Sequence, residues 1–512
     1  MVGRLVAGGV VVLAFVFGFD ENVGMRNNSD DALFEITDDD AEPVAVKAPV
    51  GRSKVFRAYD PDQSFLMPPS LDEWLPEDHT ARFVAETVDE LLDLSVIYDS
   101  YVEASGAPPY NPQMMLKLLL YGYSTGVTSS REMERRCHVD VAFRWLSANS
   151  APDYRSIARF RRRHLTALDD LFNQVLVLCS EAGLVKLGRV ALDGTKLRAS
   201  ASRHKAMSYS RLGPRIEHLE AEVAAILAEA EATDLAEDEE FGEDNRGDEV
   251  PPELARRETR LVKLRAAKEA IEAEAADKAA TAAAGKAKDN GGDETVVAQA
   301  AATAAASAVP RERAQRSFTD PEARMMKTTD GFHYAYNAQA VVDEYSQVIV
   351  AADVTQQAGD AHQLIPMIDA ARSSLTDAGI KDDPKMILAD AGYCSEDNLQ
   401  QLTDANVDAV VATGKIRHNE RVPDAPRGRI PKDATQRERM ARRMRTKRGR
   451  ADYARRKAIV EPVFGQMKTR QHAKHLRLRG LTGAKGEWTL HAICHNLRKL
   501  ANATEMGPQP ST

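Results

Sequence analysis

The sequence predicts an α/β domain built on a mixed sheet, preceded by an all-α domain and interrupted by a long helical insertion. Three observations predict it. After Gly188, short β-branched and aliphatic runs alternate with helical stretches, and two of the runs close on an Asp. Before that point, from about Pro68 to Gly183, apolar residues recur at helical spacing. Between the first strand-like run and the next, the texture turns charged and then Ala-rich.

The 512 residues suffice for about three domains at roughly 150 residues each. A hydrophobic fraction of 43% supports at least one sizeable core. Residues 1–55 read as a disordered or mis-started extension. The apolar run Leu5 to Phe19 follows a lone Arg4 and resembles the core of a signal peptide. It is short for a membrane span, no small-x-small cleavage site follows, and Met25 opens a polar stretch that serves as an ordinary start. A secreted chain is the alternative. Cys137, Cys179, Cys394 and Cys494 form no C-x-x-C pair, which suits a reducing, cytoplasmic compartment. His491, Cys494 and His495 read as helix residues rather than zinc ligands, because no second cluster has zinc spacing.

Residues 56–185 form the expected helical domain. Phe83, Val84, Val88, Leu91 and Leu92 follow Pro76 at helical spacing. Asn111 before Pro112 is an N-cap and first-turn signature that opens a buried helix to Tyr123. Ser129 or Ser130 caps the next helix, with Glu132 and Glu134 in its first turn. Asp153 caps a third, Tyr154 to Leu165, which carries Arg155, Arg159, Arg161, Arg162 and Arg163. Two short helices before a basic one fit a helix-turn-helix DNA reader, with Arg159 and Arg162 as candidate DNA contacts, or a plain bundle with a charged outer face.

Residues 186–211 and 317–500 form the expected α/β domain, split by the insertion. Arg189 to Leu192 is a short strand ending at Asp193-Gly194. His333 to Val342 and Gln347 to Val354 follow as a hairpin turned at Asp343-Glu344, then a helix from about Ala361 to Leu375. Met386 to Ala389 is a buried strand ending at Asp390. Ser395 caps a helix, and Val407 to Ala412 is a further strand. Asp360 beside His362 invites an acid/base reading, but an Asp near a helix start is simpler.

The insertion spans 212–316. Ile216, Leu219, Val223 and Ile226 step by three and four, as do Leu254, Leu261, Leu264 and Ile271 in part, with an acidic stretch from Glu237 to Glu249 between them. That suggests a helical hairpin, continued by an Ala-rich stretch, Ala279 to Ala306, that is helical or disordered. A spacer or oligomerisation role is the default. Residues 501–512 read as a disordered tail.

The net charge of −9 hides an asymmetry. Lys415 to Arg479 holds 22 Lys or Arg against six Asp or Glu. A basic segment in an acidic chain fits a polyanion-binding surface, and the interleaved Tyr453, Ile459, Val460, Val463 and Phe464 show that its second half folds.

Asp193 and Asp390 each close a strand-like run, where a carboxylate is held rigidly and faces a loop-lined crevice. Glu461, beside Val460, Val463 and Phe464, is expected near the core face. Three hard oxygen donors suit Mg2+, which serves phosphodiester displacement, and Arg455, Arg456, Lys457 and Lys468 would neutralise phosphates. No G-x-x-x-x-G-K motif is present, so an ATP-driven mechanism has no support.

Longer motifs carry a resemblance. Phe56-Arg57-Ala58-Tyr59-Asp60-Pro61-Asp62-Gln63, Pro109-Tyr110-Asn111-Pro112, Leu116 to Tyr123 and Pro152 to Ile157 occur in order. They are followed by Leu192-Asp193-Gly194-Thr195-Lys196, Tyr336-Asn337-Ala338-Gln339, Ala389-Asp390-Ala391-Gly392-Tyr393 and Val460-Glu461-Pro462-Val463-Phe464-Gly465. From about Phe56 to Leu500 the chain resembles bacterial insertion-sequence transposases with a DDE triad on a ribonuclease H-like fold. The resemblance implies Asp193, Asp390 and Glu461 as the Mg2+ triad, with Mn2+ able to substitute. It implies Lys468 as a DNA contact near the element's end. Tyr453 and Arg456 lie one residue further from the Glu than the usual signature has them, with Lys457 at the Arg position. Pro462 either kinks the helix or places Glu461 at its start. The implied partners are terminal inverted repeats, target DNA and a second subunit in a synaptic dimer, with no membrane. Two alternatives stand beside this: a ribonuclease H-like nuclease that cleaves without joining, and a DNA-binding regulator that no longer catalyses.

Overall fold

The computed structural model describes residues 6–7, 10–11, 70–101, 108–201, 206–241, 252–414 and 425–505. Most of the expected extension at 1–55, the Phe56–Gln63 motif, the acidic stretch from residue 242 and the tail from residue 506 lie outside the described residues. The chain divides into two units, residues 1–79 and 80–512. In the first, β1 (Val6–Ala7) pairs antiparallel with β2 (Val10–Val11), and the Ser70 side chain caps the single turn of α1 (Leu71–Trp74). No helix among the described residues is long and apolar enough to cross a membrane.

The second unit begins with helices: α2 (Thr80–Glu86), closed by a π turn over Thr87–Leu91, then α3 (Ser95–Asp99) and α4 (Pro112–Ser124). α5 (Ser130–Val139), α6 (Val141–Leu146), α7 (Tyr154–Arg163) and α8 (Ala167–Glu181) follow. The caps form where local chemistry placed them. The Asn111 side chain accepts from Gln113 and Met114 N–H, with Pro112 in the first turn, and the Asp153 side chain accepts from Arg155 and Ser156 N–H. Each satisfies donors that the first helical turn leaves unpaired. Ser129 occupies the N-cap of α5 without a side-chain bond.

The sheet is mixed. β3 (Val190–Arg198) pairs antiparallel with β7 (Gly331–Asp343) along its whole length. β7 carries β6 (Arg324–Thr328) on its first half and β8 (Ile349–Thr355) on its second, both antiparallel. On the other side β3 runs parallel to β9 (Ile387–Ala389), and β9 parallel to β10 (Ala409–Val411). Helices pack on it, among them α12 (Leu364–Asp377) against β8 and β7, α15 (Lys447–Arg470) against β3, and α16 (Leu481–Glu505) against β8. α13 (Glu396–Asp404), capped by Ser395, leads into β10, and α14 (Gln436–Arg445) opens with a Thr435–Glu438 capping box.

Between β4 (Ala206–Ser208) and its partner β5 (Gln315–Ser317) lie α9 (Tyr209–Phe241), α10 (Pro252–Asp289) and α11 (Glu294–Ala306). Leu212, Ile216, Leu219, Leu261, Leu264 and Ile271 bury together between the first two. The Ala-rich stretch is helical apart from a break at 290–293.

Three expectations change. β3 does not stop at Asp193 but runs on to Arg198, because β7 supplies hydrogen-bonding partners past Gly194 and Lys196, where the apolar run ends. Pro462 does not place Glu461 at a helix start: α15 runs through both. The chain from Ala501 to Glu505, expected as tail, is the last turn of α16.

Candidate active site

Register brings the first two acids together. The parallel pairing of β3 with β9 ends at Leu192 opposite Ala389, so Asp193 and Asp390 are each the next residue on adjacent strands. Carboxyl ends of parallel strands are where α/β sheets place ligands. Asp390 starts a short 3-10 turn, Ala391–Tyr393, and its Oδ1 accepts from Gly392 N–H at 2.8 Å. Asp193 Oδ1 accepts from Gly194 N–H at 2.9 Å, and its Oδ2 takes Arg456 Nη1 at 3.0 Å.

Burial pushes the Asp193 carboxyl up from its usual range; the Arg456 guanidinium pulls it back, and the neighbouring charge of Asp390 adds to the rise. Arg456 is itself buried, on the face of α15 that packs on β3, and lies 5.8 Å from the Tyr453 ring. Its Nε is buried without a hydrogen-bond partner. Lys468 reaches the same strand from about three turns further along α15, its Nζ donating to Thr195 Oγ1. Burial lowers the proton affinity of that amine, and Asp193 partly restores it.

Glu461 does not join them. Val460, Val463, Phe464 and Met467 form the buried face of α15, and a residue one step from Val460 is rotated by about 100° on a helix. Glu461 is therefore exposed, contrary to the expected core-facing position, and has no hydrogen bond or ion pair. Among the described residues no three His, Cys, Asp or Glu side chains stand close enough together to hold a metal ion. The pair that is assembled offers two carboxylates, the donor type a hard divalent cation takes, with the Arg456 guanidinium already on Asp193 Oδ2. Lys457 is exposed on the rim.

A polar cluster on β7, from the Tyr336-Asn337-Ala338-Gln339 motif, adjoins the acids. Asn337 and Gln339 are fully buried on β7. Gln339 Nε2 donates to Asn337 Oδ1 at 2.9 Å and Asp360 Oδ1 at 3.0 Å, while its Oε1 accepts from the Tyr393 hydroxyl. Lys196 Nζ and Asn337 Nδ2 also bond Asp360 Oδ1, at 3.1 and 2.7 Å. Asp360 occupies the N-cap position before a 3-10 turn, yet its side chain makes no cap bond. The local cap reading is thus replaced by a contact into the site, and only the tertiary fold could reveal it.

On α7, Arg155, Arg159, Arg162 and Arg163 are exposed, and α5 packs on both α6 and α7. Arg161 is different: it turns inward, with Nη1 on the Tyr123 hydroxyl at 2.6 Å and Thr128 O at 3.0 Å. The zinc-like trio is dispersed, with His491 on Gln471, Cys494 on Leu120 O and His495 on Gln347 O.

Acids where the parallel pairing of two strands ends, faced by the buried Arg456 and by Lys468, suit a phosphate-handling protein. Comparison with protein families agrees: residues 307–497 match the Transposase DDE domain and residues 69–163 the Transposase domain (DUF772), together more than half of the chain. The chain belongs to the DDE transposases. The DDE match includes Asp390, Glu461 and Lys468 but begins beyond Asp193, which is tied to the site by its register beside Asp390. No curated protein and no solved structure matches the chain.

Proposed function

We propose that the protein cleaves DNA at insertion-sequence ends and joins the freed ends to target DNA, using Asp193, Asp390 and Glu461 with Mg2+, for which Mn2+ can substitute. The observation that carries this is the register that sets Asp193 beside Asp390 where the parallel pairing of β3 with β9 ends, with Arg456 on Asp193. In the reading, a water oxygen attacks the scissile phosphorus, the bond to the 3′-oxygen breaks, and a 3′-hydroxyl is left. That hydroxyl then attacks a target phosphorus and displaces another 3′-oxygen. The bound cation would supply Lewis-acid stabilisation of the attacking and leaving oxygens.

The chain's own residues supply the rest. Asp193 and Asp390, with Glu461 from the exposed face of α15, would hold the cation that meets the reacting phosphate. Arg456, Lys457, Lys468 and Tyr453 bind the DNA backbone near the cut, and Arg159 and Arg162 on α7 engage terminal-repeat DNA. The mixed sheet with helices on it supports a ribonuclease H-like catalytic domain. The helices between β4 and β5 are then an insertion that acts as a spacer or oligomerisation element. Synapsis of two ends calls for at least a dimer on DNA, in the cytoplasm of a bacterial cell.

End-labelled terminal-repeat DNA incubated with Mg2+ or Mn2+ tests this. Wild-type protein is expected to nick at the repeat end and yield joined products, while Asp193→Asn and Asp390→Asn bind the DNA without nicking it. Cleavage by Asp193→Asn at the wild-type rate would sink the assignment, and nicking without joined products would point to a nuclease.

A further inference from the structure

We propose that Asp360 is a positioning residue of this active site, fixing Lys196 as a phosphate contact and locking the turn that carries Asp390 against β3; the proposal rests on the transposase reading above. The carboxylate enters from the face of β3 opposite Asp193. Side chains alternate along a strand, so Asp193 and Thr195 face α15, with Arg456 and Lys468, while Gly194 and Lys196 face the other way. Asp360 stands on that second face, and Gly194 leaves it room: a methyl group built there would collide with the Gln339 amide and lie 3.1 Å from Asp360 Oδ1. Gly392 does the same from the far side. A methyl group there would sit 3.0 Å from Asp390 Oδ1 and 3.2 Å from Asp360 Oδ2, so these two carboxylate oxygens flank one spot.

The two oxygens of Asp360 have different work. Oδ1 accepts from Lys196, Asn337 and Gln339, which ties β3 to β7 through one charged acceptor. Because Gln339 gives its N–H groups to Asp360 and Asn337, its carbonyl oxygen must face Tyr393. Tyr393 is fully buried and belongs to the turn that Asp390 opens. The chain Asp360–Gln339–Tyr393 therefore sets where Asp390 stands. Oδ2 stands on the Asp390 side, where its charge adds to the field that draws a divalent cation.

The test compares the full-length wild-type protein with Asp360→Asn, Asp360→Glu and Asp193→Asn on terminal-repeat DNA. Mn2+ binding to each protein–DNA complex is followed by electron paramagnetic resonance of free Mn2+, and nicking is titrated against Mn2+. For Asp360→Asn the Mn2+ dissociation constant and the Mn2+ midpoint for nicking are expected to rise about tenfold or more, as for other groups that orient metal ligands. DNA affinity in metal-free buffer should fall less, and Asp360→Glu, which keeps the charge, should recover most of the Mn2+ midpoint. Wild-type Mn2+ binding in Asp360→Asn overturns the proposal. So does a loss in both variants that follows a fall in melting temperature alone. Asp193→Asn separates the two claims: if it nicks like wild type the transposase site is misplaced, whereas a dead Asp193→Asn with an unaffected Asp360→Asn removes only the role of Asp360.

Discussion

Asp193 and Glu461 occupy opposite electrostatic situations, which makes them separable by experiment. Asp193 is held by a buried guanidinium and opposed by burial and by Asp390, so replacing it disturbs both folding and chemistry. Glu461 is exposed on α15 with no polar partner, and substitutions at such positions usually change stability by no more than about 0.5 kcal/mol. Glu461→Gln is therefore expected to melt like wild type yet lose nicking on the order of a hundredfold, about 2.7 kcal/mol of barrier. Paired melting curves and single-turnover nicking check this, and an unaffected rate would remove Glu461 from the site. The contrast also marks what was legible in the residues. Asp193 and Asp390 could be read because apolar runs lead straight into them. Glu461 rested more on the motif resemblance and its basic setting, and its expected core-facing position was wrong. Asp360 was passed over because a carboxylate just before a helix looks like a cap, and its true partners lie on two distant strands.

At the scale of elements, α15 shows how a helix survives a proline in its interior. Pro462 has no N–H, so the Ala458 carbonyl four residues earlier loses its helical donor, a loss that ordinarily breaks or kinks the helix. Here Gln347, at the β7–β8 turn with φ of +61°, donates its Nε2 to Ala458 O at 2.9 Å. Lys499 Nζ fixes the other end of that amide, donating to Gln347 Oε1 at 3.0 Å, and so links α15 to α16. Gln347→Ala is expected to destabilise by about 1 kcal/mol, a typical net value for one hydrogen bond. In a Pro462→Ala background the restored amide can bond Ala458 O, so the same change should cost clearly less. Urea unfolding of the four proteins of this double-mutant cycle measures the coupling, and additive costs would show that Gln347 does not compensate for the proline. The sequence could flag Pro462 but not its consequence, since the compensating group is far along the chain. Caps such as Asn111, Asp153 and Ser395 were readable because donor and acceptor sit within three residues. The full length of β3 was not, because Gly194 and Lys196 look like a strand's end until β7 lies beside them.

At the scale of the molecule, α16 is the core that the N-terminal helices and the sheet share, packing on α8, α4 and β8. Glu487 accepts from the Tyr123 hydroxyl at 2.9 Å and from the Arg477 and Leu478 N–H groups, and Tyr123 also meets the buried Arg161. One turn on, His491 is wholly buried against the Tyr123 ring, and burial followed by the charge of Arg161 pushes it down to about 3. Burial likewise pushes His495 down to about 4, while its bond to Gln347 O works the other way. Both folded values lie below the ordinary histidine value of about 6.5, so neither residue binds a proton in either state above that pH. As pH falls below about 6.5, the unfolded chain takes up protons that the folded chain refuses, and stability drops by up to roughly 1.4 kcal/mol per pH unit for each histidine. Glu487 and Asp193, both raised mainly by burial, act in the opposite sense, since the folded chain binds their protons first as pH falls. Unfolding free energy measured by urea between about pH 7 and 5 should fall with decreasing pH. His495→Gln, which keeps a donor for Gln347 O, should flatten the fall by about one proton's worth, and an equal slope in that variant would show that His495 titrates normally in the folded protein. Because both histidines sit where α16 meets both sets of elements, helical and sheet signals are expected to be lost in one transition rather than two.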